Sequence, residues 1–93
     1  MEITYTTHIK NRLLLRKIDS ELPKVIYEQS QDRYFDNETG HTIAVMRAEL
    51  YNKDRDVMVA YEVEGDRVKL LTIHPLKEGQ KEERVSSRRW RKM

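Results

Sequence analysis

Along the 93 residues the apolar positions change their period once. In HIKNRLLLRKI, Ile9, Leu13, Leu14 and Ile18 recur at helical spacing with polar residues between them. That pattern predicts an amphipathic helix capped by Thr7. Asp19-Ser20 interrupts it and offers a second N-cap. ELPKVIYEQS then predicts a second helix, with Leu22, Val25 and Ile26 on its buried side. Pro23 falls in its first turn, where a missing N–H costs little. Ahead of both helices, residues 3–6 (ITYT) are β-branched and aromatic and predict a short strand.

After Ser30 alternation replaces the helical period. DRYFD predicts a strand, Asn37–Gly40 a turn, HTIAVMRAELY a long strand, NKDR another turn and DVMVAYEV a third strand. Glu64-Gly65-Asp66 is a tight reversal, and RVKLLTIHP is the fourth strand. Connections this short join antiparallel neighbours. The order β-α-α-β-β-β-β predicts an α+β fold. Two N-terminal helices pack on one face of a four-stranded antiparallel sheet, with the short first strand beside it. The other face is partly wet and can seat a ligand. With no repeats and no linker, residues 1–93 make a single domain with a modest core.

Composition narrows the chemistry. The chain has no cysteine, which removes disulfides and thiolate metal sites and fits a reducing cytoplasm, the expected location. MEITYTTHIK has no apolar segment of a secretory leader, and no apolar run approaches the roughly 20 residues that span a bilayer, so no membrane is expected. Gly40, Gly65 and Gly79 are isolated, so there is no glycine-rich phosphate loop. The histidines lack a matched Asp/Glu cluster, which leaves no metal site and no implied cofactor.

The net charge of +2 conceals an uneven distribution. From Leu76 to Met93 seven basic residues face three acidic ones, about +4, on a body of about −2. A basic end suggests an anionic partner; the bland alternative is a solubilising tail. Trp90 belongs badly in a disordered tail. It either docks back on the domain or stacks on a base. Docking would carry Arg84, Arg88 and Arg89 towards the sheet and towards His74, with Lys81 on the same basic segment.

His8, Arg12 and Arg16 stand at i, i+4, i+8 and line one side of the first helix. One imidazole with two guanidiniums is a phosphate-handling set; the same spacing also suits a solvated helix face. On strict alternation His74 shares a face with Thr72, Leu70 and Val68, so it is either a satisfied histidine at the core edge or a functional one. Tyr61 is either packing or a phenol aimed at a site. His41, opening a strand after a turn, reads as structural or exposed. These residue types allow metal-free acid–base cleavage of RNA, in which a 2′-hydroxyl attacks its own phosphate while cations stabilise the developing charge.

THIKNRLLLRKI, YFDNETGHTIAV, VMVAYEVEGDRVKLLTIHP and the closing RVSSRRW together resemble a small family, the domain of unknown function four-two-five-eight. Its pattern carries Thr-x-His-x-x-x-Arg near the start, a Thr-x-x-Pro strand end and Gly-Arg-Trp at the close. The family is similar in layout to the RelE and BrnT toxin ribonucleases. The resemblance implies a RelE-like, metal-independent endoribonuclease of a toxin–antitoxin pair, acting on RNA, including ribosome-bound messenger RNA, and neutralised by an antitoxin protein. Carried over by position, His8 and Arg12 match the first motif, Thr72 and Pro75 the strand end with His74 between them, and Arg84, Arg89 and Trp90 the close. With Tyr61 in support from the residue reading, the expected catalytic set is His8, Arg12, Tyr61, His74 and Arg84. The basic residues Arg16, Lys81, Arg88 and Arg89, with Trp90, are the expected RNA contacts. Arg88 stands where the pattern has glycine, so the backbone there is a point of departure. The competing expectation is a non-catalytic RNA- or protein-binding module. The sequence sets no oligomeric state.

Overall fold

A computed structural model describes residues 2–93. Among the described residues the order is β1 (Glu2–Tyr5), α1 (Thr7–Arg16), α2 (Leu22–Gln29), β2 (Asp32–Asp36), β3 (Thr42–Leu50), β4 (Lys53–Glu64), β5 (Arg67–Pro75), α3 (Gln80–Ser86) and β6 (Trp90–Lys92). The strands form one sheet in the order β1-β5-β4-β3-β2-β6. β2 to β5 make the antiparallel meander that the short connections predict.

The α+β class stands, but the layout of two helices on a four-stranded antiparallel sheet is corrected. The sheet has six strands and is mixed, because β1 runs parallel to β5. The basic tail supplies the elements that the sequence reading lacked, α3 and β6. β2 presents Asp32, Tyr34 and Asp36 on the face opposite α1 and α2. Lys81 and Lys92 pair with Asp32, Arg89 pairs with Asp36, and Trp90 packs on Tyr34 with ring centroids 5.4 Å apart. Burial of an aromatic ring and neutralisation of two carboxylates offset the entropy of ordering the tail.

Local chemistry places the helices. The Thr6 hydroxyl, not Thr7, accepts the Ile9 N–H at 3.2 Å and caps α1. At its far end Lys17 takes a left-handed conformation and the Ile18 N–H reaches back to the Leu13 carbonyl, a Schellman closure. Of the apolar stripe, Ile9, Leu13 and Ile18 are buried, whereas Leu14 and Leu15 are about four-fifths exposed, at 79% and 83%. The core on this face joins them to Ile26, Val57, Val59, Tyr61, Val68, Leu70 and Ile73. A second, smaller cluster on the opposite face holds Tyr34, Ile43, Val45, Met58, Ala60, Leu76 and Trp90.

The hairpin between β3 and β4 turns at Tyr51-Asn52, both with positive φ, rather than over NKDR. Tyr51 is held there by its hydroxyl, which donates to the Arg16 carbonyl at 2.6 Å. Arg88, with φ of +65°, also adopts the left-handed conformation that glycine takes most easily. Its carbonyl accepts a hydrogen bond from Asn37, which fixes the turn into β6. The side chain is exposed. Arg88→Gly is therefore expected to stabilise the fold by about 0.5–1 kcal/mol in urea unfolding. A loss of stability of that size would contradict this reading of the turn.

Candidate functional site

One irregularity decides which side chains meet. Ala60 pairs with Thr72, yet the next residue, Tyr61, pairs with Leu70, so Leu71 is an extra residue in β5. Such a bulge reverses the alternation beyond it. Val68 and Leu70 face the helix-covered core, as alternation predicts. Thr72 and His74 do not join them: His74 stands opposite Met58 and Thr72 opposite Ala60, on the other face. The expectation that His74 shares a face with Leu70 and Val68 is thus corrected.

That other face is only half covered. α3, Leu76 and Trp90 close one side, and a trough of about 440 Å³ remains. Its floor includes Ile43, Ala60 and Thr72; His74, Arg84 and Trp90 border it. β1 accompanies β5 only over Arg67–Leu70. Past that point α1 takes over: the backbone N–H and hydroxyl of Thr6 bond the carbonyls of Leu70 and Leu71. Arg12 then reaches round the sheet edge, and its Nη1 lies 3.1 Å from His74 Nδ1.

A guanidinium has only donors, so Nδ1 must accept. The His74 proton therefore sits on Nε2, and the ring is neutral. Burial and the charges of Arg12, Arg16, His8 and Arg84 push its pKa from the ordinary 6.5 down to about 4. The surroundings are unusual for what they lack. Among the described residues none of Arg12, Arg16 and Arg84 has a carboxylate partner. Arg12 Nε is buried with no hydrogen-bond partner, and so are Thr72 Oγ1 and Trp90 Nε1. Arg84 lies over the Trp90 ring, 5.6 Å from its centroid. The trough is also bordered by the Asp36 carboxylate, but Arg89 occupies it, so Arg12 and Arg84 next to His74 are left for an anion.

The other proposed residues separate into different surroundings. His8 and Arg16 are exposed on α1 beside Arg12. Arg89 borders the trough but is occupied by buried Asp36, through Nε and Nη2 at 3.2 Å each, and by Glu38 at 3.3 Å. Burial alone would raise the Asp36 pKa; Arg89 and the Glu38 N–H overcome this and hold it low. Lys81 is paired with Asp32 at 3.2 Å. Arg88 is exposed at its turn, and Trp90 is buried in β6, docked rather than free to stack on a base. Tyr61 lies on the far face, against Tyr27, and its hydroxyl accepts from Arg33 at 2.9 Å. It does not meet His74.

Sequence reading missed Asp36 and gave His41 no role. His41 borders the trough and pairs with Glu62 at 3.3 Å. Glu62 stands four residues from Met58 on β4, which puts His41 roughly 13 Å along the strand from the level of His74. The two histidines mark opposite ends of the trough and do not share one phosphate. Among the described residues no three His, Asp or Glu side chains gather as a metal site, and no helix is long and apolar enough to cross a membrane. Comparison with family models, with curated proteins and with solved structures finds no match to the chain.

The neutral His74 has a measurable consequence. Between about 4 and 6.5 the folded chain binds fewer protons at this ring than the unfolded chain does, so stability falls as pH drops through that window. Asp32 and Asp36, both held below the ordinary carboxylate value of 3.8, act only at more acid pH. In urea unfolding from pH 7 to pH 4, His74→Gln is expected to flatten this part of the stability profile. An unchanged slope would show that His74 is not held neutral.

Proposed function

We propose that the protein is a metal-independent endoribonuclease of the toxin–antitoxin type, with the trough at His74 as its active site. One observation carries the reading: the cations around His74 lack carboxylates, while Lys81, Arg89 and Lys92 of the same basic tail are paired. Uncompensated guanidiniums at a half-buried site are stabilised by a phosphate. The resemblance of the chain's motifs to a family similar to the RelE and BrnT ribonucleases supports the same chemistry.

In this reading Arg12 and Arg84 hold the scissile phosphate and stabilise the charge that develops on it. The Nε2–H of His74 donates to a phosphate oxygen. His8, exposed beside Arg12, takes the proton of the attacking 2′-hydroxyl. The new 2′-oxygen–phosphorus bond forms, the bond to the 5′ oxygen breaks, and the 5′ oxygen is protonated by water. The products are a 2′,3′-cyclic phosphate and a 5′-hydroxyl end. Arg89 and Lys81 hold the tail in place rather than touch RNA.

A specific observation also favours a second reading, a non-catalytic RNA- or protein-binding module. Arg12 occupies the only lone pair of the resting His74, and Leu14 and Leu15 stand exposed on α1 as a protein could use them. Incubation of the purified protein with messenger RNA in EDTA separates the two. The endoribonuclease reading predicts cut RNA with 5′-hydroxyl ends. It also predicts about 100-fold slower cutting by Arg12→Ala and by Arg84→Ala, each checked for folding by circular dichroism. RNA bound but uncut would favour the binding module, and RNA neither bound nor cut would overturn the endoribonuclease and leave only a protein-binding module.

A further inference from the structure

The hydrogen bond between Arg12 and His74 holds the site in a state that a bound phosphate would undo. Arg12 can satisfy the His74 lone pair or turn its guanidinium towards an anion, and its unpartnered Nε shows that its hydrogen-bonding capacity is not used up. The charged groups acting on His74 are His8, Arg12 and Arg16 from α1 and Arg84 from α3, all cationic or neutral. Lys77, after β5, borders the same trough, and β4 contributes apolar Met58 opposite the ring. The carboxylate that borders this trough, Asp36, is already neutralised by Arg89 through two hydrogen bonds. The balance at the ring therefore changes sign only when an anion enters from outside.

We propose that entry of an RNA phosphodiester draws Arg12 off His74 Nδ1 and loads a proton onto His74, making it the general acid of the site only when substrate is present. This rests on the reading of the trough as a phosphate site. Two effects act together. Release of Arg12 frees the lone pair, and the phosphate replaces net repulsion of the imidazolium by attraction. The proton comes from solvent. It passes from His74 to the 5′ oxygen as the bond from phosphorus to that oxygen breaks, in place of a proton from water. The 2′-hydroxyl proton, taken by His8, returns to solvent, so one proton enters and one leaves per turnover. In the resting state the neutral, capped ring has no acidic proton to give.

The test uses the whole chain and a short single-stranded DNA. This probe carries the phosphodiester, keeps a constant charge, and lacks the 2′-hydroxyl needed for cutting. Histidine ring nitrogens are followed by NMR across pH with and without the DNA, with His74 assigned through His74→Gln. Without DNA, His74 is expected as the Nε2–H tautomer with a low midpoint. With saturating DNA its midpoint is expected to rise by about one unit or more, a tenfold or greater gain in proton affinity, together with shifts in the Arg12 and Arg84 Nε–H signals. If those arginine signals shift while the His74 midpoint stays, the proton loading is wrong and the phosphate site stands. If neither arginine responds, the phosphate-site reading fails and the proposal with it.

Discussion

A single extra residue in β5 governs the molecule's chemistry. Leu71 has no partner on β4, and its insertion turns Thr72 and His74 away from the core under α1 and α2. Without it His74 would lie on the side of Leu70 beneath the helices, closed to any ligand, and Ile73 would turn to the other face. The bulge coincides with the place where β1 stops and Thr6 bonds the carbonyls of Leu70 and Leu71. One short stretch thus ends a strand, starts a helix and changes the face of a histidine. Arg12 can reach that histidine only because α1 has replaced β1 along the sheet edge.

The distribution of charge follows from the same frame. Asp32 and Asp36 alternate with Tyr34 along β2, and the tail folds back to meet them with Lys81, Arg89, Trp90 and Lys92. Burial would raise the Asp32 pKa, but hydrogen bonds from Lys92, Tyr34 and Lys81 hold it low. These pairs anchor α3, and α3 in turn carries Arg84 to Trp90 and to the trough. Arg84 is left without a carboxylate by the arrangement that satisfies its neighbours. Arg89, paired, and Arg84, unpaired, both border the trough, and Arg12 reaches His74 from α1.

Much of this was legible in the sequence. The change of period after Ser30 located both helices and the meander, because periodicity reports which face is buried. His8, Arg12 and Arg16 were correctly placed on one side of α1, since helical geometry alone sets that. What escaped was non-local. The β-bulge has no glycine to announce it, so alternation put His74 on the wrong face. The strand β6 is three residues long, and its pairing depends on carboxylates more than 50 residues earlier. A charge count could not separate Arg84 from Arg89, because their difference lies in whether Asp36 is within reach. Tyr61 looked available for chemistry only because the bulge that divides it from His74 was invisible.

The central claim is that the unpaired cations about His74 form the phosphate site. The most direct measurement is a crystal structure with a short RNA whose 2′-hydroxyls are methylated so that it cannot be cut. The account predicts a phosphate in the trough within hydrogen-bonding distance of Arg12 and Arg84, with Arg12 turned away from His74 Nδ1. RNA lying instead along the exposed Arg91 and Lys92 of β6, with Arg12 still bonded to His74, would contradict it.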